Sequence, residues 1–155
     1  IKGEPKYQIA LNDNQLTHIV VYNEETTDLE FLSARTFETK DYADEKYTLF
    51  QTGPLVVKDG KIQSELISSS INGAGRYLRT LMGFTDTGEK FFVITRSNFD
   101  LLKLAEKILA FPAFQDKTIN IINLDGGTST AMFVRDLAEF SFGDSKRLPA
   151  VIGIK

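Results

Sequence analysis

Ile119-Asn120-Ile121-Ile122-Asn123-Leu124-Asp125-Gly126-Gly127-Thr128-Ser129-Thr130 is a nearly continuous apolar run that breaks into an acid, two glycines and three hydroxyl residues. A short run of this kind, rich in β-branched side chains, reads as a buried strand. Outward from it, similar runs of Val, Ile, Phe and Tyr occupy 7–11, 16–22, 29–33, 47–50, 55–57, 61–67, 78–84, 90–95, 130–135 and 148–154. The first strand itself is expected at 118–124. Turn chemistry separates these runs. Lys58-Asp59-Gly60-Lys61 predicts an Asp-Gly hairpin, Asp86-Thr87-Gly88-Glu89 a second, and Asn12-Asp13-Asn14 a third reversal. One helix is expected at about 99–110. There Leu101, Leu102, Ala105, Ile108 and Leu109 share a face opposite Lys103, Glu106 and Lys107. Ser97 and Asp100 resemble a capping box, and Pro112 stops the helix. An acidic stretch at 37–46 predicts a weaker helix, and the small polar segment 68–75 a surface loop. Strands outnumber helices. The class is α+β, a mixed, mostly antiparallel sheet covered by one main amphipathic helix.

With 155 residues, 42% apolar and 25% charged, the chain predicts a single domain spanning 1–155. Its net charge of −3 and lack of a basic cluster argue against a nucleic-acid partner. Cysteine is absent, which removes thiol nucleophiles and Cys-ligated metals. The one histidine, His18, lies in an apolar run and reads as structural. No apolar run is long enough for a membrane-spanning helix.

Chemistry concentrates where the quoted strand ends. Paired glycines let the backbone turn sharply and aim successive N–H groups at one point, forming an anion nest from Gly126 and Gly127. Thr128, Ser129 and Thr130 offer hydroxyl donors, and Asp125 sits beside the nest. Together they suit a phosphorylated sugar; the plainer alternative is an Asp-Gly-Gly hairpin turn. Asp125 could also join hydroxyl and carbonyl oxygens around Ca²⁺, but one acid is a poor start and no metal site is expected. Gln51-Thr52-Gly53-Pro54 at a strand entrance reads as architecture by itself. Arg79, opening an apolar strand, is either a surface ion-pair partner or a planar fork for phosphate, and Arg147 has the same two readings.

The order of these pieces resembles the phosphodiester glycosidase family. A Gln-x-Gly-Pro-Leu-Val…Asp-Gly-Lys segment runs from Gln51 to Lys61, and an Arg-Thr-x-x-Gly strand from Arg79 to Gly83. After the helix comes Asn-Leu-Asp-Gly-Gly-x-Ser from Asn123 to Ser129, and Arg147 precedes a closing strand. The resemblance covers about 47–155. It departs from the family pattern at Thr128, where a third glycine is usual, and in the absence of an Asn-Gly/Ala…Phe-Phe segment before Gln51. A domain lacking its N-terminal part is therefore expected, with a separate N-terminal segment as a conceivable partner.

The resemblance implies hydrolysis between a sugar's anomeric carbon and a phosphodiester, with N-acetylglucosamine as the sugar of the family's best-known activity. It implies Asp125 and Arg79 as catalytic residues. Gln51, Gly53, Thr80, Gly126, Gly127, Thr128, Ser129 and Arg147 would bind substrate. Asp125 would act as nucleophile, base or electrostatic stabiliser of an oxocarbenium-like state. Arg79 and the glycine amides would stabilise the departing phosphate. No cofactor is implied. The partner is a small-molecule or glycan phosphodiester, and the location extracytoplasmic (periplasmic or secreted). The rival from another class is a non-catalytic glycan- or cell-wall-binding module on the same scaffold.

Overall fold

The computed structural model describes residues 9, 13–70, 73–134, 142 and 152. The expected strands at 7–11 and 148–154 and Arg147 lie largely or wholly outside them. Two antiparallel sheets form among the described residues. The first has β1 (His18–Asn23) between β2 (Leu29–Ser33) and β3 (Tyr47–Thr52). The second contains β4 (Leu55–Lys58), β5 (Lys61–Ile62), β6 (Thr80–Thr85), β7 (Lys90–Ile94) and β8 (Ile119–Asn123), in the order β5-β4-β8-β6-β7. The strand that ends at the Asp-Gly-Gly turn, β8, is thus the centre of the larger sheet.

Alternation along β8 explains the layering, since successive side chains point to opposite faces. Ile122 and Leu124 face the smaller sheet, in a core with Val20, Leu29, Leu55 and Met82. Ile119 and Ile121 face the helices, α1 (Ser64–Ser69) and α2 (Leu101–Leu109), through Ile67, Leu101, Leu104, Ala105 and Ile108. The outer face of the smaller sheet buries Ile19 and Val21 under Phe37, Tyr42 and Tyr47. The α+β class with one main helix is what the structure has.

Both hairpin turns form where expected. Asp59 (φ 48°) and Gly60 (φ 73°) occupy the two positive-φ positions of a tight turn joining Lys58 to its partner Lys61. Gly88 (φ 85°) turns β6 into β7, with the Thr85 carbonyl accepting from the Gly88 amide at 3.0 Å. Three expectations need correction. The 61–67 run is a strand only to Ile62. Beyond it Ser64, Glu65 and Leu66 wind into α1, because a turn of helix swings Ile67 into the core and the stretch lacks β-branched residues. The 37–46 helix shrinks to one 3₁₀ turn, Thr39–Tyr42. The strand expected at 130–135 is, within the described residues, one isolated bridge between Met132 and Phe142.

Candidate active site

The three chemistry-bearing stretches meet at the C-terminal end of β8, and the backbone of Asn123 is the joint. Its amide donates to the Pro54 carbonyl at 3.0 Å and its carbonyl accepts from the Thr52 hydroxyl at 2.9 Å. Its side-chain Nδ2 donates to the Gly53 carbonyl at 3.0 Å. The Gly53-Pro54 bond is cis, and Gly53 sits at φ 151° with the Gln15 carbonyl 2.6 Å from where a Cβ would be. A side chain has no room there. On the other flank the Leu124 amide donates to the Thr80 carbonyl at 2.9 Å.

Gly126 and Gly127 then fold the chain back across the start of β6. The Gly127 amide donates to the Leu78 carbonyl at 2.8 Å, and the Gly126 amide to its neighbour's carboxylate, Asp125 Oδ1, at 2.9 Å. This corrects the expected nest. The Gly127 amide is taken because the loop lies against the backbone just before β6, and the Gly126 amide because the adjacent Asp125 side chain folds back onto it. One carboxylate oxygen of Asp125 is latched by the adjacent peptide while the side chain stays exposed.

Arg79 is buried, at 3% exposure. Its amide donates to the Thr95 hydroxyl at 2.8 Å and its Nε to the Phe99 carbonyl at 2.9 Å, while a terminal nitrogen donates to the Gly75 carbonyl. Burial lowers its pKa, and the nearby Tyr77 and Asp100 oppose that shift. A guanidinium nevertheless keeps its proton in proteins. A fixed positive charge therefore stands at the base of the site.

A cleft of about 570 Å³ opens over this junction, within the size range of small-molecule sites. Gln51, Gly53, Arg79, Asp125, Gly126, Gly127 and Thr128 line it. The Gln51 side-chain Nε2 donates to the Leu16 carbonyl at 2.6 Å, closing the rim toward β1. Two expected residues do not line the cleft. Thr80 shares the β6 face of Met82 and Phe84 toward the smaller sheet, so alternation turns its hydroxyl away. Ser129 ends the 3₁₀ turn Gly127–Ser129, its amide donating to the Gly126 carbonyl at 3.2 Å. Arg147 is outside the described residues. His18, kept structural by the sequence reading, lies on β1 with its Nδ1 2.8 Å from the Thr17 hydroxyl.

Asn123, Tyr77 and Ser70 also line the cleft, beyond the residues expected from sequence. For Asn123 a signal existed: a polar residue closing a buried apolar strand needs partners at that strand's end. Tyr77 and Ser70 carry none, since only the fold brings their segments beside β8.

The family profile of the phosphodiester glycosidases matches residues 2–155. The chain belongs to that family. The match extends the resemblance of residues 47–155 to nearly the whole sequence. No curated protein matches the chain. Among solved structures, it is similar to the catalytic domain of zebrafish N-acetylglucosamine-1-phosphodiester alpha-N-acetylglucosaminidase, auto-inhibited by its pro-peptide. That likeness has a TM-score of 0.58 at 17% identity and covers 86% of this chain. The chain spans 50% of that zebrafish chain. At this identity the likeness establishes the fold.

Proposed function

We propose that this phosphodiester glycosidase family member hydrolyses the bond between a sugar's anomeric carbon and a phosphodiester oxygen. The observation that carries the reading is that an exposed carboxylate, Asp125, and a buried guanidinium, Arg79, line one cleft. Cleaving the glycosidic C–O bond develops positive charge on the sugar ring and negative charge on the departing phosphate monoester, and water supplies the hydroxyl that ends on the anomeric carbon. Asp125 would meet the first charge as nucleophile, as base for water or as electrostatic stabiliser. Arg79 would meet the second. Its carbonyl partners hold the fork in place before substrate arrives, so little reorganisation is needed as charge develops. With the Gly126 and Gly127 amides engaged internally, the phosphate is met by Arg79 and the Thr128 hydroxyl, and the glycines serve to shape the wall. Gln51 and Gly53 form the opposite rim.

The test is release of N-acetylglucosamine from a synthetic N-acetylglucosamine-1-phosphodiester by the chain and its Asp125→Asn variant. An exposed side chain such as Asp125 contributes within about 0.5 kcal/mol to stability, so the variant should stay folded. We expect release to fall by at least about a hundredfold, the scale of a lost acid–base or charge-stabilising group. Equal binding by both proteins without any release would favour a glycan-binding module instead. We also propose a location outside the cytoplasm, which fractionation of cells expressing the natural gene product would check. Among the described residues no helix is long and apolar enough to cross a membrane.

A further inference from the structure

Tyr77 takes no part in the scheme above, yet it is built into the cleft with some care. Its side chain is 42% exposed, whereas Arg79, two residues on, is 3% exposed, and both line the cleft. The Arg79 guanidinium lies 5.2 Å from the Tyr77 ring centroid, within cation–π range. Gly75 makes room for the ring: a Cβ at that position would come within 2.3 Å of Tyr77 Cε2. The backbone is fixed too. The Tyr77 amide donates to the Phe99 carbonyl at 3.2 Å, and the Phe99 amide donates back at 2.9 Å.

The contact with Arg79 fixes the ring and still leaves the residue 42% exposed within the cleft. Where such a ring lines a concave surface beside polar groups, it has the character of a ligand contact. Leu16, another exposed apolar side chain at 37%, lines the same cleft. A pyranose presents one face of C–H groups and an edge of hydroxyls, which matches a cleft lined by an aromatic ring together with the polar Gln51, Thr128 and Asp125. We infer that Tyr77 is a stacking platform for the sugar ring, positioning its anomeric carbon between Asp125 and Arg79. The inference rests on the cleft being a sugar-phosphodiester site. Tyr77 acts here as a contact residue for the ground state and the transition state alike, so its loss should raise KM more than it lowers kcat.

The experiment compares wild type with Tyr77→Ala, Tyr77→Leu and Tyr77→Phe in two readouts, after thermal unfolding has shown each variant to be folded. One readout is calorimetric binding of N-acetylglucosamine 1-phosphate. The other is turnover of the synthetic diester. Tyr77→Ala is expected to weaken binding and raise KM by roughly tenfold, the scale of a well-made aromatic contact. Tyr77→Leu, which keeps apolar bulk over Arg79, should be as weak as Tyr77→Ala, and Tyr77→Phe should recover most of the loss. Unchanged KM and affinity in Tyr77→Ala, or full recovery by Tyr77→Leu, overturns the platform while leaving the hydrolase standing. Tyr77-dependent sugar binding without turnover upholds the platform and overturns the hydrolase. No sugar binding by wild type overturns the platform as well.

Discussion

Gly126 and Gly127 are adjacent, yet a methyl group added to each meets a different obstacle. At Gly126 a Cβ would stand 2.8 Å from the Leu78 carbonyl oxygen, a backbone atom that cannot swing aside. At Gly127 nothing lies within 4 Å, but φ is 62°, where an L side chain costs about 1–2 kcal/mol. Gly127→Ala should therefore lose about that much in urea unfolding and keep most of its activity. Gly126→Ala should displace the loop from β6 and move Asp125, lowering kcat/KM on the order of a hundredfold if the carboxylate shifts by about 1 Å. His18 gives a residue-level pH effect. Burial, then the nearby Lys58 charge, lowers its pKa from the ordinary 6.5. The unfolded chain thus takes up a proton near pH 6.5 that the folded chain refuses until lower pH. The contribution is complete above pH 6.5 and shrinks as pH falls below it. Denaturant melts from pH 7 to 5 should show that slope, and His18→Gln should flatten it.

At the scale of elements, α2 shows how a helix can serve a site it barely touches. Its cap is Asp100, whose Oδ1 accepts from the Lys103 amide at 2.9 Å. The preceding carbonyl, Phe99, holds both Arg79 Nε and the Tyr77 amide. Asp100→Ala should cost about 1 kcal/mol, as lost caps do, and should also lower kcat/KM by loosening the carbonyl that aims Arg79. Unfolding and steady-state kinetics together would separate the two effects. Apolar spacing announces this helix, although Leu104 rather than the exposed Leu102 completes its buried stripe and the cap is Asp100, three residues after Ser97. The Asp59-Gly60 and Gly88 turns were equally legible, because positive φ leaves few residue choices. The 61–67 run was not. Alternation there lasts only two residues, and nothing local reports that Ile67 is needed by the helix-side core. Nor was the use of the Gly126 and Gly127 amides, since their acceptors include a carbonyl 49 positions earlier in the chain, Leu78.

Across the whole molecule, β8 joins the sheet-to-sheet core, the sheet-to-helix core and the site. Ile122 is fully buried between the sheets, paired with Leu55 on one side and Met82 on the other. Ile122→Ala should cost about 2–5 kcal/mol in urea unfolding. It should also weaken substrate binding, because Asn123, the next residue, holds the Gly53-Pro54 wall. The division into a three-stranded and a five-stranded sheet could not be read from the chain, because pairings such as His18 with Thr52 are set by long-range packing. One practical consequence comes from the β6–β7 hairpin. β6 begins beside Arg79 and ends six residues later, so the exposed Asp86 lies about 20 Å from the cleft. Since the chain has no native thiol, Asp86→Cys would give a single attachment point for a dye or a solid support. Such a tether would leave the opposite pole of the sandwich open to solvent.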